Sequence, residues 1–136
     1  MTPTLLLDTS ALLALSVDGP HRTSMNEAMR CHTVRVASAM ALTEALPTID
    51  RLTDDSLERH DLEDGLRLTW DHLHVVPLDA RCLETASRLA RERMMRLSDA
   101  IHFAAADRLP MPLVFATVDP AQIATALELG YEVWST

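Results

Sequence analysis

The sequence predicts an α/β fold: a central, mainly parallel sheet of about five strands with helices on both faces. Three observations carry this expectation. Short apolar runs alternate with stretches of helical periodicity along the whole chain. Most of those runs, such as TLLL and LVFAT, are apolar at successive positions, the pattern of strands covered on both sides. No repeat, linker or low-complexity segment interrupts the 136 residues, a length that suits a single domain over 1–136.

TLLL at 4–7 reads as the first strand, with Asp8 at its end. A helix is expected from about Ser10, where Ala11, Leu12, Leu13 and Leu15 are apolar, and Gly19-Pro20 breaks it. A second helix is expected from Thr23 to Arg30. VRVAS at 34–38 alternates and is β-branched, which predicts the second strand. From Ala39 to Leu52 the residues Leu42, Ala45, Leu46, Ile49 and Leu52 recur at helical spacing. Pro47 lies inside that pattern and is expected to kink or split the helix, since it lacks an N–H and crowds the carbonyl four residues back. A helix over Ser56–Trp70 precedes the third strand, HVVPL at 74–78. Ala80 to Met95 is helical, with Leu83, Ala86, Leu89 and Ala90 on one face. Ser98 is the expected N-cap of a helix over Asp99–Leu109. LVFAT at 113–117 is the fourth strand. Asp119-Pro120 then caps and opens a helix that ends at Gly130, and YEVW at 131–134 is the fifth strand. Strands 1 and 4, each followed by an acid, are expected near the middle of the sheet.

Nearly half the residues are hydrophobic (48%), enough for a core without metal or disulfide staples. Cys31 and Cys82 lack any CxxC spacing and read as buried free thiols, so nothing asks for an oxidising compartment. The apolar start carries Asp8 and no basic leader, which argues against a signal peptide or membrane span and for a cytoplasmic protein. His72 and His74 have no matching ligand spacing, and Trp70 and Trp134 read as packing or interface residues. Met25, Met29, Met40, Met94 and Met95 exceed what a small core readily absorbs, so exposed apolar helix surface and self-association are expected.

A net charge of -8 does not advertise nucleic-acid binding. The charge is segregated, however. All 12 basic residues are Arg, and Arg88, Arg91, Arg93 and Arg96 fall close together, whereas acids crowd between Asp50 and Asp64. A local basic patch can coexist with a negative total. Arginine's planar fork suits phosphate oxygens, and Arg96 lies nearest to the candidate site in sequence.

That site is a set of carboxylates. Ligands of open α/β sheets bind beyond the carboxyl ends of the strands. Asp8 follows strand 1 and Asp119 follows strand 4. Glu44 lies on the first turns of the helix after strand 2, and Asp99 at a helix start, so all four acids are expected at one rim. Singly, each has an ordinary role. Asp119 is a helix cap, Asp99 favours the macrodipole, and Glu44 sits on a solvated helix face. Asp8, ending a buried apolar strand, is only partly explained by capping. Together they repel one another, and a divalent cation removes that conflict. Mg²⁺, or Mn²⁺ in its place, prefers such oxygen ligands and activates water for phosphodiester chemistry. His102, three residues after Asp99, shares its helix face and lies in or near the cleft.

LLLDTSALLAL, ALTEAL, RLSDAIHFAAADRL and FATVDPAQIATALELGYEV resemble, in order and over nearly the whole chain, the motifs of PIN-domain nucleases. The likeness is greatest to the ribonuclease toxins of bacterial VapBC toxin–antitoxin pairs. The resemblance implies a PIN-like three-layer sandwich and a metal site formed by Asp8, Glu44, Asp99 and Asp119. It implies that the hydroxyls of Thr9 or Ser10 and of Thr117 support metal or phosphate. It also implies an RNA substrate, a cognate antitoxin and a homodimer. The expected activity is therefore that of a Mg²⁺-dependent endoribonuclease, with a non-toxin RNA-processing nuclease or a catalytically silent scaffold as the alternatives within the fold. A phosphatase using Asp8 as nucleophile is disfavoured: Ser10 stands where a second aspartate is needed, and the chain has no lysine.

Overall fold

The structure is a computed structural model and describes residues 2–135. The elements follow as β1 (Thr4–Leu7), α1 (Thr9–Ser16), α2 (Arg22–Cys31), β2 (Val34–Ser38), α3 (Ala39–Leu52) and α4 (Ser56–Trp70). They continue as β3 (His74–Val76), α5 (Ala80–Arg93), α6 (Leu97–Asp107), β4 (Leu113–Ala116), α7 (Pro120–Glu128) and β5 (Glu132–Trp134). The strands form one sheet in the order β3-β2-β1-β4-β5, and every neighbouring pair is parallel.

β1 is central, and all of its side chains are buried. Successive side chains of a strand point to opposite faces, and β1 shows the consequence. Leu5 and Leu7 join a core with Leu12 of α1, Met25 of α2, Ile49 of α3 and Leu66 of α4. Leu6 joins a second core with Leu89 of α5, Phe103 of α6 and Ala126 of α7. The sheet is thus the middle of three layers, as expected for this sequence. Strand order runs outward from β1 in one direction through β2 and β3, then restarts on its other side with β4 and β5. The switch between β1 and β4 opens a crevice at their carboxyl ends.

Two local expectations are corrected. Pro47 does not split α3, which runs unbroken from Ala39 to Leu52. Pro47 and Thr43, whose carbonyl loses its helical partner to the ring, are both exposed, so water serves the carbonyl and the ring crowds no neighbour. Pro47→Ala is therefore expected to stabilise the protein, by about 1–2 kcal/mol once the added freedom of the unfolded chain is counted, as read from urea denaturation. Ser98 is not the cap of α6. The helix starts at Leu97, and Arg96 holds the N-cap position with extended backbone and no capping side-chain bond. Asp99 stays in the first turn. α5 stops at Arg93, where Met94 turns left-handed (φ 53°).

The methionine expectation is also corrected. Met25 is in the first core and Met29 packs against it, while Met40 and Met95 pack against the second; of the five, Met94 alone is strongly exposed, at 93%. Unpartnered apolar surface lies instead on α4, where Leu57 and Leu68 are exposed. Cys82 is buried as expected, but Cys31 is exposed at the end of α2. Trp134 packs against the first core, and its indole N–H donates to Ser24. Among the described residues no helix is long and apolar enough to cross a membrane.

Candidate active site

At the carboxyl edge of the sheet, a cleft of about 190 Å³ is lined by Asp8, Glu44, Asp99 and Asp119, together with Thr9, Ser10 and Arg96. The four acids come from four separate segments of the chain. Thr117, the remaining predicted residue, is fully buried and does not line the cleft, but its hydroxyl contacts Asp8, Ser10 and the amide of Asp119, which do.

Asp8 is the deepest of the acids, 2% exposed. It caps α1: one carboxylate oxygen accepts from Ala11 N at 2.9 Å and from the Ser10 hydroxyl at 2.7 Å. Burial pushes its carboxyl above the ordinary aspartate range, while the Thr117 hydroxyl, the Ala11 amide and the Ser10 hydroxyl pull the other way. Because Ser10 spends its proton on Asp8, its oxygen accepts from Val118 N at 3.0 Å and meets the Thr117 hydroxyl at 3.2 Å. Thr117 in turn accepts from Asp119 N at 3.1 Å. One polar chain thus ties the loop after β4 to the loop after β1, across the switch point.

Glu44 projects from α3 and takes the Thr9 hydroxyl at 2.6 Å and His102 Nε2 at 2.9 Å on one oxygen. The hydrogen bond from His102 is the largest influence on this carboxyl and, with that from Thr9, holds it below the usual glutamate range despite partial burial. Asp99 receives the Arg96 guanidinium from the same turn, Nε at 2.9 Å and Nη2 at 3.3 Å. Asp119 caps α7 by accepting from Ala121 N at 3.0 Å. The capping role that the sequence suggests for Asp119 is therefore present, and it coexists with a place on the cleft.

The donor set is all oxygen at the carboxylates, with hydroxyls beside them, which fits a hard divalent cation rather than a thiolate- or imidazole-seeking one. Among the described residues, no three acid, imidazole or thiol groups already converge as a ready cage. Each carboxylate is instead satisfied by a different protein group. Mg²⁺ typically takes one or two carboxylates and keeps several waters, so a closed cage is not what its chemistry requires.

His102, expected in or near the cleft from its spacing to Asp99, lines it, buried between the apolar neighbours Ile101 and Phe103. One buried polar residue of this region escapes a reading of the sequence. Gln122 also lines the cleft, 4% exposed, at the position where a capping residue would reach back to Asp119 N; Thr117 occupies that amide instead.

A family model described as the PIN domain matches residues 5–128 of the chain. No curated protein matches it by sequence. Among solved structures, the sarcin–ricin-loop-cleaving toxin VapC20 of Mycobacterium tuberculosis superposes with a TM-score of 0.71 at 17% identity, over 90% of this chain and 95% of that one. The DNA-bound VapBC of Salmonella typhimurium gives 0.70 at 17% identity, over 96% of each chain. A toxin–antitoxin complex from Klebsiella pneumoniae gives 0.69 at 19% identity, over 89% of this chain and 91% of that one. At these identities the superpositions establish a shared fold.

Proposed function

The chain belongs to the PIN-domain family of nucleases, and on that premise we propose that it is a Mg²⁺-dependent endoribonuclease, the toxin of a type II toxin–antitoxin pair. The observation that carries this reading is the meeting of Asp8, Glu44, Asp99 and Asp119 on one cleft at the sheet's switch point. Asp8 and Asp99 would hold the cation, with Glu44 and Asp119 completing the negative rim. When bound, Mg²⁺ or Mn²⁺ supplies Lewis acidity for hydrolysis of a phosphodiester. Ser10 and Thr117 keep the Asp8 carboxylate fixed from behind. Arg96, 74% exposed at its side chain, is free to leave Asp99 for a phosphate oxygen.

A cognate antitoxin is the proposed protein partner, because solved proteins of this fold include toxin–antitoxin complexes. The exposed leucines of α4 suit a homodimer. The cytoplasm, where RNA and antitoxin meet, is the proposed compartment. The test incubates purified protein with a mixed RNA pool in Mg²⁺, Mn²⁺ or EDTA. Cleavage with either metal and none in EDTA is expected; intact RNA in saturating metal overturns the activity. Growth arrest on expression, relieved by the product of an adjacent small reading frame, tests the toxin role.

Arg96→Ala separates substrate binding from metal binding. Measured on Asp8→Asn protein, whose cleavage is expected to be largely lost, it is expected to lower the slope of log affinity against log salt by about 0.7, the value for one phosphate contact on a single strand. An unchanged slope removes Arg96 from the RNA contact.

A further inference from the structure

We propose that His102 is a positioning residue, which fixes the Glu44 carboxylate in the cleft through a buried hydrogen-bond chain anchored on Ser38. The inference rests on the reading of Glu44 as part of the metal site.

α6 buries every side chain from Ala100 to Ala106, and His102 is the one polar member of that run. An apolar residue would fill the space without desolvating an imidazole, so a histidine here needs both nitrogens partnered. Both are. Nε2 lies 2.9 Å from Glu44 Oε1 and 3.1 Å from Thr9 Oγ1, and Nδ1 lies 3.2 Å from Ser38 Oγ. The Glu44 carboxylate can only accept, so Nε2 carries the proton towards it. In the tautomer that directs Nε2–H at Glu44, Nδ1 accepts from the Ser38 hydroxyl.

Ser38 supplies an independent observation. It occupies the N-cap of α3, where a serine hydroxyl ordinarily accepts from an amide of the first turn, yet it makes no capping bond. It is fully buried and its hydroxyl is turned to His102 instead. The chain therefore forgoes a local helix cap to complete a contact 64 residues away.

The chain of contacts joins β2, α6, α3 and α1: Ser38 orients the ring, the ring holds Glu44, and Thr9 closes on the same oxygen. Glu44 is long and partly exposed, and without these donors it would sample several rotamers in water. Partners of this outer-shell kind orient the groups that meet the metal.

The test titrates the full-length protein with Mn²⁺ by calorimetry, with metal-free melts as the control for folding. Gln at position 102 places an amide N–H where Nε2 stands, whereas Asn places one near Nδ1 and falls short of Glu44. His102→Asn is expected to weaken Mn²⁺ binding about 10–100-fold and His102→Gln to remain within about threefold of wild type. Added to Glu44→Gln, His102→Asn is expected to have no further effect. If His102→Asn does not fold, Ser38→Ala removes a single oxygen and carries the same expectation of weaker binding. Wild-type affinity in His102→Asn or Ser38→Ala, beside a weakened Glu44→Gln, overturns the positioning role alone. So does equal weakening in the Gln and Asn variants. Wild-type affinity in Glu44→Gln overturns Glu44 as part of the metal site, and the inference with it.

Discussion

Asp8→Asn is expected to reduce RNA cleavage more than about 100-fold, beyond the usual loss from an outer-shell partner, while making the metal-free protein more stable at neutral pH. The amide keeps the oxygen that accepts from Ala11 and Ser10, and asparagine caps a helix as well as aspartate does. What disappears is a buried negative charge. Burial raises this carboxyl, so the folded state favours its protonated form. The associated stability is present below the unfolded aspartate range and is lost as pH rises through the raised folded value. At pH 7 the wild type carries that penalty and the mutant does not. The gain should shrink as the pH falls through the raised folded value and be gone below about 4, where the unfolded chain is also protonated. Saturating metal should reverse the order, since a cation at about 100 times its dissociation constant stabilises the wild type by about 2.7 kcal/mol. Melting temperatures at neutral and acid pH, with and without Mg²⁺, read all of this. A metal-free Asp8→Asn protein less stable than wild type at pH 7 would show that burial of the charge is already compensated.

Asp99→Asn gives the contrast. It too should lose metal binding and cleavage together, but its metal-free stability should stay level or fall by up to about 1 kcal/mol. Asp99 gives up an interaction with the N-terminus of α6 and a pair with a largely exposed arginine. The two acids differ in depth, so the same substitution moves stability in opposite directions while moving activity in one.

Much of this was legible in the sequence, for identifiable reasons. β1 and β4 are buried at every position, and apolar at all but Thr4, because both faces of the sheet are covered, and short runs of that kind announce central strands. An acid placed after each then falls at the switch point wherever the crossovers take their usual hand. Pro47 misled because a proline argues for a break only where its ring meets packed neighbours. It lies off the apolar stripe of Leu42, Ala45, Leu46 and Ile49, and the solvent side of α3 absorbs it. Ser98 misled because a cap is defined by backbone geometry, and Arg96 has that geometry while spending its side chain on Asp99. The link between Ser38 and His102 was illegible. A serine before a helix reads as a cap, a histidine three residues after Asp99 reads as a neighbour of the cleft, and only the folded chain joins the two.

Phe115→Ala is expected to cost about 3–5 kcal/mol, a large part of the 5–15 kcal/mol that holds a typical domain together. Phe115 is fully buried on β4, beside Leu6 of β1 and Val133 of β5. Its ring stacks on Phe103 of α6 with centroids 4.5 Å apart and planes within 9° of parallel. That stack holds the helix carrying Asp99 and His102 against the strand that leads to Thr117, so stability and site geometry share one contact. Phe115→Leu keeps most of the apolar volume and should cost less than the alanine change. The two losses can be told apart by adding metal. If truncation mainly depopulates the folded state, Mg²⁺ should restore part of the stability of Phe115→Ala in urea, by up to about 2.7 kcal/mol at 100 times its dissociation constant. If α6 has shifted relative to β4, metal should restore little in Phe115→Ala while still protecting the wild type. A loss below about 1 kcal/mol in Phe115→Ala would mean that the apolar face of α6 holds the helix in place without the stack.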